Sequence, residues 1–357
     1  MVTSNTVVFR VGRDALIQGA LRLCLAIDPE NTAAVTANQI TNGAEALNML
    51  VKAWEAEGLQ LWERKYGAVF LQKGQLYYQL GSPGPGGDHA CLSTPIGSGF
   101  IKTTLVSALA ANATSASLVT ITNTAPSPIV FPPLYGMPYA TAGVPADPVT
   151  NGDNIGIQQT DGTIWWTTVN GVPVGNIVTL TAGPPLGANA GAFVYDYTTK
   201  LVRPLRILDG FVRQVGGNDV PCLVIPRENF NRFGQKLSSG TSIQLYYDPQ
   251  ENTGQLYVYP TTLDTGQTLF IEYQNPIQDF NASTDDYDLP QEWGLALKFN
   301  LALLLAPEYG VPMEQYQIIE KQAGYWFAKL DAWDQEDASL FLQPSNWPYL
   351  TDSSSNK

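Results

Sequence analysis

The sequence predicts an α+β fold: a discontinuous four-helix bundle from the N- and C-terminal segments, with a large all-β insertion of two small antiparallel modules. Apolar residues recur at helical spacing at both ends of the chain, whereas its middle alternates short Val/Ile/Thr/Tyr-rich runs with Gly, Pro and Asn turns. The 357 residues are enough for two or three cores. The predicted parts are a helical bundle (1–64 and 287–337), a β domain (65–97 and 200–286), a nested β-sandwich or barrel-like insertion (98–199) and an extended C-terminal arm (338–357).

The first two helices are joined by a short loop. The first is predicted over residues 13–27, and Asp28-Pro29 ends it. The second begins at Thr36, with Gln39 three residues later as its capping-box partner, and Gly58 marks its end. Each carries one apolar stripe and therefore needs a packing partner.

Strand patterns follow from residue 66 to residue 285. Runs 69–71 and 76–80 flank a Lys73-Gly74 turn and are predicted to form a hairpin. Short strands with frequent turns between residues 98 and 200 favour a small sandwich or barrel. A second group of strands is predicted to form an antiparallel meander with one buried face: 242–247, 255–259 and 268–274.

Helical patterns return at Asp288, which is placed to cap a helix with Pro290 in its first turn and Gln291 at its third position. This helix is apolar almost all round, which predicts the central position in a bundle. Pro312 opens the last helix, which is predicted to carry one apolar face with Tyr316, Ile319, Ala323, Trp326, Leu330 and Trp333. The side chains predicted to pack the helices together are Leu47, Trp54, Trp293, Leu297, Leu301, Tyr316, Trp326 and Trp333.

The charge balance argues against a protein that wraps nucleic acid. The chain has 32 acidic and 19 basic residues and a net charge of −13, whereas affinity for phosphate comes mainly from Lys and Arg. An acidic surface could still line a passage that DNA crosses without adhering. No signal-like run opens the chain, and its most apolar stretch is too short for a bilayer. Three scattered cysteines without a CxxC spacing predict no disulfide framework or zinc site and favour assembly in the cytoplasm.

Catalytic candidates are few. The one histidine, His89, stands two residues from Cys91 in a Gly/Pro-rich loop; a nucleophile pair would need an orienting third group, and a solvated loop histidine is expected instead. The run Gly97–Thr103 lacks the Gly directly before Lys that a phosphate loop requires, so a strand is expected there. The sequence therefore predicts no catalytic, cofactor-binding or metal-binding residue.

Two features leave alternatives open. Asp285, Asp286 and Asp288 could hold a cation or act as paired carboxylates, or they could only favour the helix start that follows them. Trp165 and Trp166 are adjacent on a strand and point to opposite faces, so one is expected in the core and the other at an interface or on a carbohydrate platform.

The C-terminal arm carries apolar side chains after the helical pattern has ended: Leu340, Phe341, Leu342, Trp347 and Tyr349. Leaving such residues in water costs about 1–3 kcal/mol each. The arm is therefore expected either to fold back on its own bundle or to dock on a partner.

Three stretches resemble the head-to-tail adaptor family of tailed bacteriophages, also called tail accessory, connector or head-completion proteins. Residues 13–62 resemble the first helical hairpin of that family. Residues 287–312, with a proline-led start and the end LAPEYG, resemble the second, and residues 203–260 resemble the β region of larger members. Many shorter members lack the insertion 98–199.

The resemblance implies a virion structural protein of the neck, not an enzyme, assembled in the host cytoplasm without a membrane. Subunits would form a usually dodecameric ring beneath the portal that continues the DNA channel and supports tail nozzle, tube or fibre proteins. The arm residues would grip the portal, and the helix-packing residues would build the ring wall. The alternatives are a carbohydrate-binding or cell-wall-degrading protein with a β-sandwich domain, and a surface-array subunit. A closed ring would favour the adaptor, and a monomer would favour the enzyme.

Overall fold

A computed structural model describes residues 9–28, 35–57, 63–81, 88–121, 148–287 and 289–334. The chain divides into two compact units, Met1–Leu61 with Asp279–Lys357, and Trp62–Gln278. We call them the helical unit and the β unit. The helices are α1 Arg13–Leu23, α2 Ala37–Glu57, α3 Arg227–Asn231, α4 Gly294–Leu305 and α5 Met313–Trp333. The strands are β1 Arg64–Phe70, β2 Tyr77–Leu80, β3 Ala90–Leu92, β4 Ile101–Thr104, β5 Ser115–Ser117, β6 Asn154–Gln158, β7 Ile164–Thr168, β8 Ile177–Thr179, β9 Phe193–Tyr197, β10 Arg206–Arg213, β11 Asp219–Val224, β12 Gln244–Pro249, β13 Gly254–Tyr259 and β14 Thr268–Gln274.

Helix starts follow the sequence signals. The backbone N–H of Thr36 donates to Gln39 Oε1 at 2.9 Å, and the N–H of Gln39 donates to Thr36 Oγ1 at 3.3 Å, so the predicted capping box is confirmed. Pro312 is the N-cap residue of α5, and its backbone is extended. Pro290 is the N-cap of a short 3-10 helix, Gln291–Trp293, that leads into α4, so it does not lie in the first turn as predicted. The predicted cap Asp288 lies outside the described residues.

Within the helical unit, α4 contacts α1, α2 and α5, and α1 contacts α2. Buried side chains of α4 point to several sides of the helix, among them Ala296, Leu297 and Leu301. This follows from its nearly uninterrupted apolar sequence, which leaves no polar face to turn toward water.

The predicted discontinuous four-helix bundle is wrong as the fold of this protein. The described chain is mostly β, and its largest element is a sheet of eight strands. The helices are also unequal: α1 and α4 have 11 and 12 residues, against 21 each in α2 and α5. At a rise of about 1.5 Å per residue, the short helices cannot flank the long ones over a common length.

The eight-stranded sheet is nearly closed and resembles a barrel. Its strand order is β2-β13-β12-β11-β10-β14-β1-β3. The two end strands approach each other at Gln79 and Asp88: the Gln79 N–H donates to Asp88 Oδ2 at 2.6 Å, and the Asp88 N–H donates to the Gln79 carbonyl at 3.2 Å. Inward-facing residues form its core: Val69, Leu71, Tyr78, Leu80, Ala90, Leu201, Ile207, Val212, Cys222, Leu245, Leu256, Val258, Leu269, Ile271 and Tyr273.

This topology corrects three further expectations. The sheet is one large structure containing a parallel β11–β12 pair, so the two small antiparallel modules are wrong. The β1–β2 hairpin is also wrong, because β1 pairs with β14 and β3 while β2 pairs with β13. Of the meander only the β12–β13 hairpin forms, and β14 lies instead between β10 and β1. Local alternation shows which face of a strand is buried but not which strand lies beside it.

The insertion adds two smaller sheets to the β unit. One has the order β4-β9-β6-β7, and the other pairs β5 with β8. Aliphatic residues of both sheets share one core, including Ala116, Val178, Ile155, Ile157 and Val194. Of the strand predicted at Gly97–Thr103, only residues 101–103 belong to a strand, β4, and Gly97 and Gly99 have positive φ angles.

Candidate assembly surfaces

Helix α5 has apolar side chains on two sides. Ile319, Ala323 and Leu330 are buried in the helical unit. On another side Ile318, Tyr325 and Trp333 are 57%, 56% and 58% exposed. Spacings of seven and eight residues place these three within roughly 80° of arc around the helix. We call them the α5 outer face.

The side chains predicted to pack the helices divide into three groups. Those that are buried are Leu47, Trp54, Trp293, Leu297 and Leu301. Tyr316 and Trp326 are half-buried, and Trp333 belongs to the α5 outer face. Sequence reasoning assigned one apolar stripe to this helix and missed Ile318 and Tyr325. The sequence contained a signal for them, because residues 318 and 325 are apolar and adjoin the predicted stripe. They make the apolar surface of the helix wider than one buried face requires.

An aromatic cluster holds the helical unit together behind that face. The ring centroid of Trp54 lies 5.5 Å from that of Trp293 and 5.3 Å from that of Phe327 on α5. Asn48 fixes the chain that leads toward α4, since its side chain donates to the Phe280 carbonyl at 3.3 Å and accepts from the Phe280 N–H at 2.9 Å. These contacts give α5 a rigid support.

The charge of the protein is concentrated in the helical unit. Its segments 1–61 and 279–357 hold 8 Lys and Arg residues against 19 Asp and Glu, a net charge of −11. The β unit holds 11 against 13, a net charge of −2. The acidic character inferred from the whole sequence therefore belongs almost entirely to one unit, which the overall composition does not reveal.

His89 is not the solvated loop histidine that the sequence suggested. Its ring stacks on Trp166 with centroids 3.8 Å apart and an interplanar angle of 4°. Its Nδ1 lies 2.6 Å from the hydroxyl oxygen of Tyr197. These residues adjoin an aromatic core between the barrel-like sheet and the insertion, in which Phe70 contacts Tyr195 at 4.9 Å. The histidine therefore helps to hold the insertion in place.

The chemistry available at His89 is limited by its environment. Burial, with a smaller effect of nearby Lys200, lowers the pKa of His89 to about 3, so the ring is neutral at physiological pH. Cys91 is fully buried in β3. Because a nucleophile must be reachable by its substrate, this arrangement does not favour the Cys91/His89 pair.

The acidic cluster supports a turn before α4. Asp285 Oδ2 accepts from the N–H groups of Ala282 at 2.6 Å and Asn281 at 2.8 Å, and these bonds hold the pKa of Asp285 below its usual value. Asp288 lies outside the described residues. In the part of the chain that the structure describes, no group of three His, Cys, Asp or Glu side chains is arranged to hold a metal ion.

The remaining candidates have structural contacts. Lys102, in the glycine-rich run, donates to the Gly266 carbonyl and lies 5.0 Å from the ring centroid of Phe193. Trp165 and Trp166 are both half-buried, so neither is the exposed platform that the sequence allowed.

The predicted portal-binding side chains Leu340, Phe341, Leu342, Trp347 and Tyr349 all lie outside the described residues. Among the helices that the structure describes, none is long and apolar enough to cross a membrane. No protein-family model matches this chain, and no curated protein matches it.

Proposed function

We propose that this chain is a virion structural protein: the adaptor ring between the portal and the tail of a bacteriophage. The α5 outer face is the observation that carries the proposal. Three large apolar side chains on one rigid helix face water at 56–58% exposure, and covering them would contribute about 1–2 kcal/mol each. Exposed apolar patches of this kind mark contact surfaces.

A ring requires each subunit to contact the next through two different surfaces, because a head-to-tail contact closes into a cycle. The α5 outer face supplies one of them. The same ring would bind the portal through the C-terminal arm and offer the β unit to nozzle, tube or fibre proteins. These roles rest on the resemblance of residues 13–62, 203–260 and 287–312 to the adaptor family.

The charge distribution supports a channel through the ring. A helical unit with net charge −11 repels the DNA phosphates, so a passage lined by it would let DNA slide without adhering. The proposal includes no catalytic step, and it agrees with the buried stacking role of the single histidine.

Co-sedimentation with the portal protein encoded beside this chain tests the attachment. We expect the full-length chain to sediment with the portal and a chain ending at Asp337 to remain in solution. Loss of binding on truncation would assign attachment to the arm, whereas failure of both forms to bind would exclude the adaptor function.

A second test addresses the α5 outer face. Ile318→Ser with Tyr325→Ser should leave folding unchanged but weaken ring formation on the portal, seen by electron microscopy and sedimentation velocity. Val172→Ser, at a side chain 83% exposed in the β unit, is the control. Normal rings from the double variant would show that this face is not a subunit contact.

A further inference from the structure

A groove of about 500 Å³ lies between α1 and α4 in the helical unit. Its floor includes the buried side chains of Leu16 and Tyr287. Its rim includes Phe9 and Leu295, which are 74% and 46% exposed. Apolar surface on both floor and rim suits a partner that presents apolar side chains.

Charged side chains of opposite sign lie toward the two ends of this groove. Glu292, near the start of α4, lines it and is exposed. Lys298 and Arg22 line it further along: a methyl group on Gly19 would be 3.2 Å from Lys298 Cε and 3.7 Å from Arg22 Nη2, so the two cations lie side by side. Among the residues that the structure describes, none of these three charged side chains forms an ion pair. The groove therefore has an acidic end and a basic end, about 10 Å apart along α4.

Helix α5 carries the reverse order of charges beside its exposed apolar residues. Glu314, Ile318, Lys321 and Tyr325 are all exposed, and their spacing places them within roughly 60° of arc. Glu314 and Lys321 are about 10 Å apart along the axis, the same separation as the two ends of the groove. In the part of the chain that the structure describes, neither of them forms an ion pair. An α5 helix antiparallel to α4 therefore brings opposite charges together at both ends of the groove, with Ile318 between them.

The α5 helix of the same subunit is not the one that fits this groove. Asn300 on α4 donates to the Ala323 carbonyl of α5 at 3.4 Å, so α5 packs on that side of α4. The groove residues Leu295 and Lys298 lie roughly 140° and 160° around α4 from Asn300. Because the groove and α5 lie on different sides of α4, the matching helix comes from a second copy. A contact between two different surfaces repeats head to tail, as a ring requires.

We propose that the α1/α4 groove binds α5 of a neighbouring copy in antiparallel orientation. Ile318 enters the groove, Glu314 faces its basic end and Lys321 faces its acidic end. Tyr325 continues past the acidic end and covers Phe9, whose backbone N–H is held by the Gln291 side chain at 2.9 Å. This contact supplies the second subunit surface of the ring, and to that extent it rests on the proposed function.

Disulfide trapping in the full-length chain tests the contact. Leu295→Cys with Ile318→Cys in one chain places a thiol on each of the two surfaces. Each thiol then meets the other kind on the next copy, so mild oxidation should give a ladder of covalent dimers, trimers and larger species on a denaturing gel. The native cysteines are all buried and add little background.

Leu304→Cys with Ile318→Cys is the matched control. Leu304 lies on α4 outside the groove and is 45% exposed, against 46% for Leu295. We expect the ladder of the groove variant to form about tenfold faster than that of the control, because the contact holds its two thiols together. Oxidation that stops at dimers would indicate a symmetric contact and would overturn the proposal.

Charge reversal tests the orientation of the bound helix. Glu314→Lys with Lys321→Glu should slow the ladder about tenfold, because attraction at both ends of the groove becomes repulsion. Reversing the groove as well, with Arg22→Glu, Glu292→Lys and Lys298→Glu, should restore the rate. A rate that the first reversal leaves unchanged would also contradict the proposed contact.

Failure of this contact is distinguishable from failure of the adaptor function, which co-sedimentation with the portal tests. A ladder no faster than the control, both in free chains and in chains that sediment with the portal, overturns the contact and leaves the adaptor function standing. A fast ladder in chains that do not bind the portal supports the contact and excludes the adaptor function.

Discussion

Replacing Gly156 with alanine should destabilise the attachment of the insertion to the barrel-like sheet. The new Cβ would lie 2.7 Å from two carbons of the Trp166 indole and 2.8 Å from Ile164 Cγ2, whereas carbon atoms in contact prefer about 3.5–4.0 Å. Trp166 cannot retreat easily, because His89 stacks on it at 3.8 Å and Phe70 lies 5.4 Å away. Overpacking of this kind costs about 1–3 kcal/mol, and we expect the upper part of that range.

Urea unfolding followed by tryptophan fluorescence and circular dichroism measures this cost. Gly216→Ala is the matched control, because nothing lies within 4 Å of its added Cβ and its backbone is not in the left-handed region. In a Trp166→Ala background, Gly156→Ala should lower the free energy of unfolding by less than half as much, because the indole that the new methyl group would overlap is absent. A change below about 0.5 kcal/mol in the native background would refute the packing argument, because surface substitutions alone reach that value.

Three further predictions concern other buried groups. Trp54→Ala should lower the free energy of unfolding by about 3–5 kcal/mol, because the indole is 7% exposed between Trp293 and Phe327; an unchanged thermal melt would contradict this. Stability should fall as the pH drops from 6.5 toward 3, because the unfolded state protonates His89 while the fold keeps its pKa at about 3. At pH 5.5 the free energy of unfolding should be about 1.0 kcal/mol lower than at pH 6.5, and the same titration of a His89→Phe variant should lack this decrease. Burial raises the pKa of Cys24 to about 11 and that of Cys222 to about 12, so a thiol reagent at pH 8 should label neither until denaturant is added.

The proposed function depends on surfaces that local patterns describe poorly. Periodicity located α5 and predicted that Ile319, Ala323 and Leu330 share a face, and all three are buried. It did not identify Ile318 and Tyr325 as exposed, because an apolar residue beside a stripe can be buried or exposed according to what packs there.

The sequence by itself determined the local structure of this protein. Thr36 and Gln39 specify a helix start through their own hydrogen bonds, and Pro312 specifies another by its fixed backbone angle. The strand pattern of residues 255–259 likewise located β13. The alternation in 242–247 predicted the buried face less well, because Ile243 is 48% exposed and Tyr246 is buried. These features depend on groups a few residues apart, so they are encoded within a short window.

Only the tertiary structure decided which strands are neighbours and what surrounds the functional candidates. Strand β14 lies beside β1, about 200 residues earlier in the chain, and β11 pairs in parallel with β12. Long-range contacts of the same kind place His89 against Trp166. The histidine is therefore stacked and neutral, although its sequence position suggested a solvated loop. Strand pairing depends on many weak side-chain contacts across the whole fold, so no local window of the sequence contains it.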